Sequence, residues 1–531
     1  MQSDTTTSTF PSCMGAGQKC KSTVAPSKAG RREWIGLGVI ALPCLLYSMD
    51  LTVLNLALPH ITADLAPSSA QLLWIVDIYG FLVAGSLITM GTIGDRIGRR
   101  RLLLIGAGAF GVASVLAAFS TSATMLIATR ALLGVAGATL APSTLSLIRN
   151  MFLDPRQRTM AIGIWVTSFS VGGAIGPLLG GVLLEYFWWG SVFLIGVPVM
   201  VLLLVLGPVL LPEFRDPKAG RLDLASAVLS LTAVLAAIFG LKRLAEGGPA
   251  WLPALSISSS VAVGWVFVRR QQRLSDPLID LRLFRVPAFS ASLATYTLGT
   301  FVGFGSFIFT AQYLQLVLGL SPFEAGLWTL PSMAAFVVGS IVVPVVARRV
   351  RPANVMVAGL VLAAIGYGVL TRTAPDFGLA PIVIGSAIAS LGLSPVFILA
   401  TDVVVGSAPV EQAGAASAIS ETSSELGGAL GIAILGSIGA AVYRVAMAGR
   451  APTGLPPEVF EAARGTLGGA AGVAEQLPDY LAAMLLATAR ESFTEGLVLT
   501  AAISAALMLA AAIVGAIVLR RGQAASEGGT Q

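Results

Sequence analysis

Glu421 and Glu425 stand four residues apart in ETSSELGGALGIAILG, a stretch whose other side chains are small or apolar. On a helix that spacing puts both carboxyls on one face. Two neighbouring carboxyls in a low-dielectric setting cannot both hold charge cheaply. Such a pair suits a group that takes up a proton on one side of a membrane and releases it on the other. It would equally attract a lipophilic cation, and competition between cation and proton for the same carboxylates would couple the two fluxes. A carboxyl merely hydrogen-bonded to neighbouring helices is the structural alternative. Asp50, Asp77 and Arg130 also lie in apolar runs, where a charge costs a few kcal/mol or more (about 2.5–3.5 on insertion scales). Asp77 sits near an outer edge, where solvation alone would suffice. Asp50 has Asn55 nearby in sequence, and an ion pair with Arg130 is its structural alternative. Arg130 shares a face with Gly134, Gly137 and Ala141, whose small side chains leave room for a guanidinium.

The elements that position these residues are membrane spans. Of 531 residues, 55% are hydrophobic and only 11% charged, and the mean hydropathy is +0.85. Soluble domains carry about 25% charged residues. The net charge of +6 does not point to nucleic acid, because the basic residues flank apolar spans. A crossing needs about 20 apolar residues, and fourteen such runs start near residues 35, 72, 102, 124, 159, 191, 222, 251, 287, 323, 353, 379, 414 and 493. With the N-terminus inside, the inner segments hold 25 Lys and Arg against 7 in the outer loops, with Arg130 within a span. The positive-inside rule therefore places both termini in the cytoplasm of a multi-pass plasma-membrane protein. The polar tail has no apolar core before residue 35, so no cleavable signal peptide is expected.

The stretch SSELGGALG (423–431) nearly repeats SFSVGGAIG (168–176), 255 residues earlier. At that offset spans 1–6 match spans 9–14, and spans 7 and 8 are an insert. The expected fold is an all-α membrane protein of fourteen transmembrane helices: two pseudo-symmetric six-helix bundles plus two inserted helices. Its parts are a polar tail (1–33), a first bundle (34–213), two linker helices (214–275), a second bundle (276–520) and a short tail (521–531). Within the second bundle, residues 446–492 read as a long extracytoplasmic loop. Its apolar part, YLAAMLLATA (480–489), is too short to span and suggests one or two short surface helices. Parallel repeats of this kind place a ligand site near the midplane between bundles.

Four stretches carry a resemblance: MDLTVLNLALPHITADL (49–65), GTIGDRIGRRR (91–101), ATRALLGVAGATLAP (128–142) and VGGAIGPLLGG (171–181). In order and spacing they resemble the major facilitator superfamily, in its fourteen-helix drug:proton antiporter branch of the quaternary-ammonium or methyl viologen efflux type. The resemblance covers about residues 35–520 and implies export by proton antiport, with Arg130 taking part in proton coupling. It also implies that Asp95 and Arg99, within the gating motif Gly91, Asp95, Arg96, Gly98, Arg99 and Arg100, latch the two halves. Topogenic charge and a tight turn at Gly98 explain part of that motif by themselves. The second copy, ARRVRPAN (347–354), keeps the arginines without an aspartate, so such a latch would be asymmetric. In span 5, Ser168, Gly172, Gly176 and Gly180 recur every four residues as a close-packing stripe, accompanied by Gly173 and Gly181. Pro177 should kink that helix. The family treats this motif as an antiporter hallmark.

Span 9, FVGFGSFIFTAQYLQ (301–315), offers Phe304, Phe307, Tyr313 and Gln315 as substrate lining, since aromatic faces attract organic cations. Core or lipid contact is the alternative. Family members that handle dications commonly carry a carboxylate in span 10; LPSMAAFVVGSIVVP (330–344) has none. Cys13, Cys20, Cys44 and the single His60 make no metal or disulfide framework, and no nucleotide-cradling loop is present. No cofactor is expected, with the proton gradient as energy source. The expected partners are a small cationic amphipathic substrate, protons and the lipid bilayer, not nucleic acid. The expectation is a non-enzymatic exporter of lipophilic cationic drugs by proton antiport (multidrug efflux). Its rivals are a dedicated exporter of one antibiotic or metabolite and a non-transporting membrane sensor.

Overall fold

The computed structural model describes residues 28–67, 69–215, 223–246, 251–274, 277–374, 378–409, 412–450 and 457–527. Most of the N-terminal tail, with Cys13 and Cys20, and residues 528–531 lie outside the described residues. Among those described the chain is helical throughout. In order the helices are α1 (Arg31–Leu65), α2 (Ser69–Ile97), α3 (Arg99–Ala118), α4 (Ala123–Gly137), α5 (Leu140–Met151), α6 (Pro155–Tyr186), α7 (Ser191–Leu194), α8 (Gly196–Leu210) and α9 (Leu224–Glu246). They continue with α10 (Trp251–Gln271), α11 (Pro287–Gln312), α12 (Pro322–Val346), α13 (Pro352–Leu370), α14 (Ala380–Ser407), α15 (Ala413–Gly449), α16 (Pro457–Gly465), α17 (Leu467–Ala474) and α18 (Asp479–Glu527). Lipid offers no hydrogen bonds, so each crossing satisfies its backbone internally. Helix starts follow local chemistry. Asp154 caps α6 ahead of Pro155, and Ser321 and Glu324 form a reciprocal capping box on α12.

Thirteen helical stretches among the described residues are long and apolar enough to cross a membrane. The 32-residue α6, about 48 Å long at 1.5 Å per residue, joins two of them as a further crossing. Two features differ from the sequence expectation. Span 4 is broken into α4 and α5 by a turn at Ala138 and Thr139. The segment 480–489 is not a surface helix of a long loop: it forms the first turns of the 49-residue α18. Leu485 and Ala489 are fully buried there in the second half's core, which explains why a run too short to span is nonetheless apolar. Among the described residues of this connection, α16 and α17 are the short helices.

The duplication is visible in the packing. α1 runs along α6 in the first half as α11 runs along α15 in the second. A Cβ at Gly172 would fall 2.1 Å from the Leu45 carbonyl oxygen, and one at Gly431 would fall 2.0 Å from that of Phe301. The small-residue stripe thus lets backbones touch in both halves. Gly176 and Gly180 are also buried, whereas Gly181 is exposed and meets nothing. α6 continues as one helix through Pro177. The halves meet along two seams, α2 with α15 and α6 with α12. The inserted helices α9 and α10 pair with each other, and α9 also packs on both α2 and α15.

Candidate proton and cation site between the two halves

Glu425 points away from the α11-facing stripe of α15 and across the seam. The Tyr47 hydroxyl of α1 donates to its Oε1 at 3.0 Å. Glu421 lies one turn nearer the start of α15. Its Oε1 is inaccessible and has no hydrogen-bond partner among the described residues. An ionised oxygen in that position would be uncompensated, whereas a proton or a bound cation would satisfy it. Both glutamates lie within charge–charge reach of Tyr47 and of Tyr296 on α11.

Aromatic rings from both halves pack against the two tyrosines that reach the pair. Tyr47 packs edge-on to Phe169, 5.8 Å between centroids, and Phe169 packs against Trp165 at 4.8 Å. From the second half, Phe397 meets Tyr296 at 5.3 Å and Phe336 at 5.8 Å. The rings of this belt come from outside the 301–315 run of span 9. Tyr313 is fully buried in the second half's core and donates to the Ala374 carbonyl, which corrects its assignment as lining. Nine residues separate it from Phe304, half a turn out of phase at 100° per residue. Phe304 packs beside Gly428, and Phe304 and Phe307 leave half their surface exposed. Gln315 is exposed on a π-helical turn after α11. The belt was missed because its six rings are spread over five helices, with only Trp165 and Phe169 sharing one, so no local run announces them.

The remaining intramembrane charges are paired. Arg130 is fully buried; it donates from Nε to the Ile75 carbonyl at 2.5 Å and lies 3.4 Å from Asp50 through Nη1. Its guanidinium also lies over the Tyr79 ring. Gly134 does not make room for it, as the sequence suggested; a Cβ there would meet the Tyr79 carbonyl oxygen of α2 at 2.6 Å. Asp77 is bound by Lys242 of α9 rather than left to solvent. Cys44 is buried and contacts Thr144, a packing role, and His60 is exposed at the far end of α1.

At the arginine-rich end the halves are tied together. Asp95 accepts from Arg99 Nε at 2.9 Å and from the backbone N–H groups of Gly414 and Ala415 at 3.0 Å each. These amides open α15, so the carboxylate caps a helix start in the opposite half. Gly91 allows that approach: a Cβ would lie 2.5 Å from the Gly414 carbonyl oxygen. Gly98 turns α2 into α3 at φ +115°, a conformation side chains resist. Arg99 is buried over Phe214, and Arg100 donates to the Pro208 and Leu211 carbonyls. Arg96, beside them, is partly buried.

A second tie compensates for the motif copy that lacks an aspartate. Asp402 of α14 accepts from Arg158 Nε and Thr159 Oγ1 of α6, each at 2.5 Å. Asp402 sits inside an apolar run near the end of its span, and that position was the overlooked signal.

The sequence profile of the Major Facilitator Superfamily matches residues 40–432. The chain belongs to that superfamily. Among its superfamily relatives, the multidrug efflux pump LfrA of Mycolicibacterium smegmatis is 45% identical over 94% of this chain and 99% of its own. The methyl viologen resistance protein SmvA of Salmonella typhimurium is 37% identical over 90% and 97%. The tetracenomycin C resistance and export protein of Streptomyces glaucescens is 33% identical over 91% of each. The crystal structure of the human organic anion transporter MFSD10 superposes with a TM-score of 0.57 at 17% identity, covering 90% of this chain and 99% of that one. At that identity the likeness establishes the superfamily fold. The chain is thus a multi-pass transporter of this superfamily.

Proposed function

We propose that this protein exports lipophilic cationic drugs across the cell membrane in exchange for protons. The observation that carries it is the pair Glu421 and Glu425, one bridged to Tyr47 across the seam and the other with an inaccessible, unpartnered oxygen. A carboxyl pair inside an aromatic belt can hold a proton or an organic cation, and occupancy by one disfavours the other. Exchange then needs no separate relay.

The arginine-rich end is the cytoplasmic end, by the distribution of basic residues, and both termini lie there. The ties from Asp95 and Asp402 close that end, so the exchange cycle starts here with the cytoplasmic side shut. Protonation from outside would release a bound cation; opening of the two ties would then carry the protonated pair inward. Asp50 and Arg130 sit toward the outer side of Tyr47 as a buried ion pair, separate from the exchanging glutamates. The close packing of α1 on α6 and of α11 on α15 makes each half a rigid body for such rocking. Relatives named for multidrug efflux and methyl viologen resistance support the substrate class.

The test is ethidium uptake into everted vesicles with an imposed acid-inside pH gradient. Uptake that nigericin abolishes is expected; uptake indifferent to the gradient would reject antiport. A substrate panel limited to one compound would reject breadth.

A further inference from the structure

The two inserted helices bring one cation into the transport region. Lys242, near the end of α9, binds the Asp77 carboxylate of α2, and its ammonium also sits over the Phe81 ring, 4.8 Å from the centroid. The Trp74 ring packs edge-on to Phe81 at 6.2 Å. A carboxylate beside an aromatic face, walled by apolar side chains such as Phe239 and Leu426, is the environment that a lipophilic ammonium seeks. The ammonium of Lys242 occupies the place such a ligand would take.

We propose that Asp77 and Phe81 form an outer organic-cation subsite, and that Lys242 is a tethered competitor which a cationic substrate displaces. The inference rests on the cation-export reading above. Three features favour displacement. The Lys242 side chain is 40% exposed, unlike the fully buried Arg130. Ion pairs with one partner this exposed contribute little, and the lysine stem is flexible. Glu425 follows within charge reach of Lys242, so a displaced ammonium has a second carboxylate to approach. Arg130, by contrast, is fixed by a backbone carbonyl and by a ring. The insert thereby gains a chemical role: it sets how tightly a cation must bind to hold the outer subsite.

The test is ethidium binding to the full-length protein in lipid nanodiscs, read by fluorescence anisotropy. Lys242→Met should bind about two- to fivefold tighter than wild type, the equivalent of removing a weak competing pair. Lys242→Arg should bind as wild type does. In an Asp77→Asn background the gain from Lys242→Met should vanish, while in a Glu425→Gln background it should persist. Lys242→Gln, held to the same criterion, replaces Lys242→Met should that variant misfold. Equal or weaker binding by the neutral variants overturns the competitor, as does a gain that survives Asp77→Asn, which would be general electrostatics. Wild-type binding that is intact but unchanged by Lys242→Met leaves the export reading standing. Absence of cation binding in wild type and variants alike rejects both.

Discussion

The Tyr47 hydroxyl and the Glu425 carboxyl, 378 positions apart in sequence, meet at 3.0 Å across the seam between the two halves. The bond joins α1 of one bundle to α15 of the other, so it ties Glu425 to both halves. Tyr47→Phe removes it at little cost in volume. A hydrogen bond to a charged group contributes about 1.5–3 kcal/mol, so initial rates of gradient-driven ethidium uptake should fall roughly tenfold or more. Wild-type rates would show that the contact is incidental.

Asp95 accepts two backbone N–H groups at the start of α15, and the tie it makes can be read at those amides. Asp95→Ala should speed hydrogen exchange in the peptide containing Gly414 and Ala415 while leaving α13 unchanged. Asp402→Ala should speed exchange at the start of α6 instead. Unchanged exchange in both variants would mean that neither carboxylate holds the halves together.

The glycine stripe makes a prediction about stability. At Gly172 a Cβ would lie 2.1 Å from the Leu45 carbonyl oxygen, so Gly172→Val must push α1 and α6 apart. Overpacking costs about 1–3 kcal/mol, visible as a lowered melting temperature of the purified protein. Gly181→Ala, at an exposed position with open space, should melt as wild type does. The same comparison tests which glycines of the motif are structural.

Asp223, just ahead of α9 and outside the span, is held below the ordinary carboxylate range, chiefly by hydrogen bonds from Arg270 of α10. Its folded value lies under its unfolded one, so its contribution to stability is complete above about pH 5 and is lost as pH falls through the lowered value. Asp223→Asn should lower the melting temperature at neutral pH and converge on wild type as pH falls from about 5 toward 3, which flattens the acid side of the profile. An unaltered acid limb would show that the pair does not anchor the insert.

Much of this was legible in the chain because membrane spans, duplication and contiguous motifs are local signals. The offset of 255 residues aligns Gly172 with Gly427, and both glycines pack against the neighbouring helix of their own half. The position of Glu425 away from that stripe follows from helical phase alone. The Asp50–Arg130 pair could be named from two opposite charges in apolar runs, but other pairings between distant elements were not legible. Lys242 reads as a loop charge until α9 is seen to extend to Glu246; Asp402 and Arg158 are 244 positions apart. Span 9 misled for the opposite reason: a dense aromatic run looked like a lining, yet helical phase sends Tyr313 into the core while Phe304 stays exposed.

The most direct test of exchange at Glu421 and Glu425 is proton release on cation binding. Purified protein in weak buffer with a pH indicator is mixed with ethidium, and the protons released are counted per bound cation. Wild type should acidify the medium, and Glu421→Gln together with Glu425→Gln should abolish the release. Release at the wild-type level from the doubly substituted protein would contradict the account and place the exchanging proton elsewhere.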